Sequence, residues 1–402
     1  MARRHSNGSR WAAALLGALL LSCVDGGTNP DNFDRKPLLA NLGEHVILPT
    51  YRAFTQRAEA LEAATTSLVA AVGTPDEAAR RQTARGAWRD AMGVWQEAEL
   101  MQVGPAGTAG SMTGGESLRD NLYSWPTVNT CRVDQELVAR SYENPGFFGT
   151  ALVNVYGLAA IEYLLFVDAP ENSCPPQVTI NTNGSWNALG TAEVTRRRAA
   201  YARAASAYLA TRARELTDRW EPGKGNFLAQ LSTAGQSGSV YETARQAGDE
   251  LFAAMFYLDL KTKDEKLAVP SGLDPACATQ TCPAALESRF ARHSKENVLA
   301  NLRAFRKLLV GNAPGEADRP GFDDWLVFRG SPQVAEQLVA NTDAAIQKLQ
   351  AIPGTLEESL AADPAQVRDA HAAIKAITDI LKTQFASVLN LRVPGEGAAD
   401  ND

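Results

Sequence analysis

The chain has 402 residues, 45% hydrophobic and 21% charged, with a formal net charge of -7. That length suits one large or two moderate domains, and two is the expectation. The acidic balance argues against nucleic acid or an anionic membrane surface as the partner.

Arg3, Arg4 and Arg10 precede an apolar run, Trp11–Leu21, that is too short for a comfortable membrane span, so residues 1–22 read as a targeting segment. The run ends in Leu20-Leu21-Ser22-Cys23, which resembles a bacterial lipoprotein box. It predicts cleavage before Cys23 and acylation there, and Val24 in place of aspartate resembles outer-membrane sorting. The expected location is the bacterial cell envelope, as an outer-membrane lipoprotein facing the periplasm or the surface. Residues 23–36 read as a polar tether.

Apolar residues at helical spacing predict a helix over Leu38–Val72, kinked or restarted near Pro49, and a second from Asp76 to about Met101 with Trp88, Met92 and Trp95 inward. The glycine-rich stretch Val103–Ser117 has no strand before it, so it is not a phosphate loop. A short helix is expected over Val133–Ser141 and a buried one over Pro145–Val167. Trp186–Trp220 predicts a long helix on which Arg196, Arg197 and Arg198 form a solvated face. Helices over Val240–Leu260, Ala285–Val310, Pro332–Ile352 and Pro364–Leu391 follow, with a loop at Lys261–Pro283. No alternating strand pattern of useful length occurs, so the fold class is all-α, two packed bundles of long antiparallel helices spanning residues 37–220 and 221–402. One faint internal echo pairs Leu39-Ala40-Asn41-Leu42 with Leu299-Ala300-Asn301-Leu302.

Beyond Cys23 the cysteines are Cys131, Cys174, Cys277 and Cys282, an even set in a chain read as exported. Pairing of Cys131 with Cys174 and of Cys277 with Cys282 is favoured, because only Ala278, Thr279, Gln280 and Thr281 separate the last two. A zinc protease finds no support in His45, His293 and His371, which lie far apart with no paired-histidine motif. His371, near Asp369, reads as a surface residue, and Trp88, Trp95, Trp125, Trp186, Trp220 and Trp325 read as core and interface anchors.

The stretch Val155–Asp168 is apolar on every helical face except at Glu162. A carboxylate in such surroundings requires a cation, an arginine or a set of hydrogen-bond donors. Gly157-Leu158-Ala159-Ala160-Ile161-Glu162 resembles the Gly-x-His-x-x-Glu motif of the imelysin family, with Ala159 where that motif has histidine. Residues three apart share a helix face, which is how the family's version presents two donors together. Alanine offers no lone pair.

Further stretches are similar to the family in the same order: Val46 to Phe54; Trp95, Glu99 and Gly104-Pro105; Arg119 and Tyr123-Ser124-Trp125-Pro126; Tyr201 to Trp220; and Leu286-Glu287-Ser288-Arg289-Phe290-Ala291-Arg292-His293-Ser294. The resemblance implies two helical bundles with a site between them, extracytoplasmic placement and a tie to bacterial iron uptake. The surroundings of Glu162 look more like the iron-regulated branch than like the proposed peptidases. It suggests Glu162, Glu99, Arg119, Glu287 and Ser288 as a metal or ligand pocket, with iron or another divalent metal as the candidate cofactor and iron-uptake proteins as candidate partners. Two carboxylates suit a hard cation and equally a salt-bridged core. A binding or accessory role is the leading expectation, and a metallopeptidase using Glu162 is the alternative.

Overall fold

Pro49 accounts for the one irregularity in the first long helix. Proline lacks an N–H and its ring collides with the carbonyl four residues earlier, so an α-helix that continues through it must give way just upstream. In the computed structural model, which describes residues 32–111 and 113–395, the chain is helical over Lys36–Asn41, widens to a π-helix over Leu42–Ile47, and resumes as α1 (Leu48–Ala71). The Leu48 N–H bonds Gly43 O, five residues back. The helix therefore widens at Pro49 and does not restart.

The principal helices that follow are α2 (Glu77–Ala98), α3 (Thr130–Ala139), α4 (Gly157–Phe166), α5 (Gly190–Trp220), α6 (Ala244–Met255), α7 (Ser294–Val310), α8 (Pro332–Ala351) and α9 (Pro364–Ile380). No strand occurs among the described residues. The protein is all-α. α1 packs on α2 and α5, α4 packs on α5, α8 packs on α7 and α9, and α2 against α7 joins the earlier helices to the later ones. Among the described residues, those from Asp34 on form one compact unit. The two asparagines of the echo reach across it: Asn41 Nδ2 donates to Gly311 O and Pro320 O, both at 2.8 Å, and Asn301 Nδ2 donates to Gln96 O at 2.7 Å.

Both expected disulfides are present, Cys131–Cys174 and Cys277–Cys282. Trp88, Trp95, Trp220 and Trp325 are fully buried anchors. Residues 1–31, with the targeting segment and Cys23, lie outside the described residues.

Five expectations are corrected. The helix expected over Pro145–Val167 is broken into Phe147–Thr150, the 3-10 turn Val153–Val155 and α4, because Leu152 and Tyr156 are extended. The loop expected from Lys261 is instead a π-helix, Leu258–Ala268, running into Val269–Ser271. α7 starts at Ser294, nine residues later than its apolar pattern suggested, since Ser288 and Arg292 adopt left-handed backbone angles that end any helix. Arg198 is buried rather than solvated, and His371 is 9% exposed rather than on the surface.

Candidate functional site

α4 is short and both its ends are built. Gly157 has φ +76°, and a Cβ there would lie 2.7 Å from Leu122 O, the carbonyl to which Leu158 N–H donates at 2.9 Å. Only glycine allows that approach. Trp88 Nε1 donates to Leu158 O at 2.8 Å. Past the other end, Arg198 donates to Val167 O at 2.9 Å, Ala169 O at 2.5 Å and Glu171 O at 3.0 Å. On its flank, Tyr163 OH donates to Asp134 Oδ2 at 2.7 Å, and Ser173, beside Cys174, donates to the same oxygen through its N–H at 2.8 Å. The disulfide loop thus helps to hold the helix that carries Glu162.

Glu162 is 4% exposed. Its partners are backbone donors, neither a cation nor an arginine. The left-handed turns at Ser288 and Arg292 bend the chain so that Phe290 N–H and Ala291 N–H both reach Glu162 Oε1 at 2.9 Å. Burial pushes its pKa up to about 8, against the two N–H donors, which favour the anion; Glu287 adds to the rise and Arg289 opposes it. Burial thus favours the protonated carboxyl.

A cavity of about 340 Å³ opens beside it. Trp125, Val128, Val269, Leu286 and Phe290 form its apolar wall, and Glu162, Glu265, Ser288 and Arg289 its polar one. Ala159 lines it one turn before Glu162, at the position where the motif's histidine would stand. Glu162 comes from before Trp220 and the loop 286–293 from after it, so the walls draw on both halves of the chain. The donor set does not fit a metal: Ala159 gives no lone pair, and among the described residues no three His, Cys, Asp or Glu side chains converge.

Glu287, next to Ser288, faces away from the cavity into a sealed network. It is 0% exposed; Gln96 Nε2 at 2.9 Å and Tyr123 OH at 2.7 Å donate to Oε1, while Asn297 Nδ2 at 2.9 Å and Lys266 Nζ at 3.1 Å reach Oε2. Lys266 Nζ also donates to Gln96 Oε1 at 2.5 Å and Asn301 Oδ1 at 2.9 Å. Glu99 belongs to the far side of this network and does not line the cavity. Burial raises its pKa, while Arg119, Lys266 and a hydrogen bond from Tyr257 oppose the rise. Arg119 donates to Gln102 Oε1 at 2.6 Å and pairs with Asp120 at 3.1 Å. The structure therefore brings Glu162 and Ser288 together at the cavity, places Glu287 behind them, and leaves Glu99 and Arg119 outside its walls.

Sequence reading missed Lys266, Gln96, Asn297 and Asn301 in the network and Glu265 and Arg289 at the cavity. The signal for Lys266 was obscured because Asp259, Thr262, Lys263 and Lys266, all buried, lie on a π-helix, whose period does not match the 3.6-residue template. Trp125 is half-buried and forms part of the cavity wall rather than a sealed anchor. His293 is a packing residue: burial lowers its pKa, its ring lies 6.1 Å from that of Trp88, and Glu296 is 3.7 Å away.

The imelysin model of the M75 peptidases matches residues 47–384. The chain belongs to the imelysin family. Iron-regulated protein A of Synechococcus elongatus is 24% identical to it over 363 residues, which span 85% of this chain and 83% of that protein. Among solved structures, an imelysin-like protein from Psychrobacter arcticum superposes with a TM-score of 0.66 at 17% identity, covering 90% of this chain and 96% of that one. A protein of Parabacteroides distasonis described as an iron-regulated protein A precursor gives 0.64 at 16% identity, covering 87% and 94%. These structures share the fold of this imelysin-family chain.

Proposed function

We propose that this imelysin-family chain is an envelope protein, anchored by lipid at Cys23, that binds a small ligand in an accessory step of iron uptake, with the cavity around Glu162 as its ligand site. One observation carries the choice of site: a buried carboxyl whose Oε1 is held by two backbone N–H groups and whose side chain lines a half-open, largely apolar cavity. The names of the Synechococcus and Parabacteroides relatives support the link to iron. Two disulfides suit an oxidising compartment, and among the described residues no helix is long and apolar enough to cross a membrane, which leaves attachment to the segment ending at Cys23. The metallopeptidase reading lacks a donor at Ala159.

The test is complementation of a deletion strain under iron limitation. Deletion should slow growth, wild type should restore it, and Ala159→Phe, which fills the cavity, should not restore it while melting as a folded protein. Cys23→Ala should move the protein out of the membrane fraction. Deletion without effect on iron-limited growth would reject the iron role, and full rescue by Ala159→Phe would reject the site.

A further inference from the structure

The polar groups that face the Glu162 cavity with bonding capacity to spare are hydrogen-bond donors. Oε1 of Glu162 already accepts from Phe290 N–H and Ala291 N–H at 2.9 Å, so both its lone pairs are taken and a proton on this carboxyl belongs on Oε2. Burial favours that protonated form. Ser288 Oγ accepts from Asn297 Nδ2 at 2.9 Å, which leaves its own O–H to donate. Arg289 is exposed at the cavity wall with its guanidinium carbon 4.6 Å from the Phe290 ring centroid, a contact that does not consume its N–H donors. The remaining polar side chain is Glu265: its Oε1 pairs with Lys261, and its Oε2 has no hydrogen-bond partner but is sealed, so that a ligand in the cavity does not reach it.

We infer that the cavity takes a small organic carboxylate with an apolar body, its oxygens accepting from Glu162, Ser288 and Arg289 and its body lying against Trp125, Leu286 and Phe290. This rests on the cavity being the ligand site proposed above. An ammonium can accept from none of the three groups and meets the Arg289 guanidinium as a like charge. A carboxylate meets a neutral acid, a hydroxyl and a cation. It should also bind more weakly once Glu162 ionises, since two carboxylates would then face each other. The other titratable or charged groups around Glu162 are Tyr123, Glu287, Arg289 and the Glu265–Lys261 pair.

The experiment titrates the mature protein with benzoate, benzylamine and benzamide, followed by calorimetry and Trp125 fluorescence, at pH 6 and pH 9. Benzoate should bind at pH 6 at least tenfold more tightly than either isostere, and about tenfold more weakly at pH 9. Glu162→Gln keeps a donor in place, because its carbonyl can take the two N–H groups while its amide faces the cavity. It should retain benzoate binding and flatten the pH dependence, whereas Glu162→Ala should lose at least tenfold. Benzylamine binding as tightly as benzoate, an absence of benzoate binding, or the same pH dependence in Glu162→Gln would each overturn the inference. Iron-limited growth does not enter these measurements, so carboxylate binding by a protein whose loss leaves such growth unchanged would sustain this inference and reject the iron role.

Discussion

Glu162 and Glu287 are both buried glutamates, 4% and 0% exposed, and they meet opposite fates. Glu287 receives donors on both oxygens, including the Lys266 ammonium, and nothing of its bonding capacity remains. Glu162 receives two backbone donors on one oxygen and lines a cavity. Burial by itself therefore does not mark a site. What marks it is bonding capacity left unspent beside a cavity.

The sharpest way to break this comparison uses pH. The carboxyl of Glu162 rises from 4.5 to about 8 on folding, so the folded state holds a proton that the unfolded chain releases. Its contribution is fully present below about pH 4.5 and is lost as pH rises through about 8, on the order of 5 kcal/mol across the window. Glu162→Gln cannot ionise. Urea titrations should find it close to wild type near pH 5 and more stable than wild type by several kcal/mol at pH 9. A stability difference that does not change with pH would show that Glu162 does not carry that proton.

The sealed side should respond to loss of a partner regardless of pH in the neutral range. Lys266→Met removes the cation beside Glu287 and leaves a buried carboxylate short of a charge, which costs about 3–5 kcal/mol. Chemical denaturation measures it directly. A cost below about 1 kcal/mol would mean the neutral donors Gln96, Tyr123 and Asn297 suffice.

The disulfides sharpen the comparison from a distance. Cys131–Cys174 closes 43 residues of sequence separation and Cys277–Cys282 only 5, so the loop-entropy model gives about 4 and about 2 kcal/mol. Cys131→Ala with Cys174→Ala should lower the melting temperature more than the double change at 277 and 282. Because Ser173 and Tyr163 meet at Asp134, the first pair of changes should also weaken ligand binding at the cavity, and the second should alter binding less. The smallest effect should come from Gln102→Ala, beyond the far end of the network, at about 1 kcal/mol of stability with no change in ligand binding.

Much of the fold was legible in the chain alone. Helical periodicity identified α1, α2, α5, α8 and α9, the alternating pattern of strands was missing, and the cysteine spacing paired both disulfides. Glu162 also stood out, because a lone carboxylate in an apolar run is visible without coordinates. The sequence could not say what meets it. Its partners are two N–H groups 128 and 129 residues away, and every residue except proline carries an N–H, so no side chain announces them. Lys266 was hidden for a related reason: on a π-helix the buried positions follow no α-helical stripe, and charged residues in that order read as a solvated loop. Local pattern determined the helices and the one residue that needed company. Which oxygen was satisfied, which carboxyl was sealed and which faced a cavity were decided only by tertiary packing, because backbone donors and π-helical registers are fixed by the approach of distant segments and leave no periodic trace in the chain.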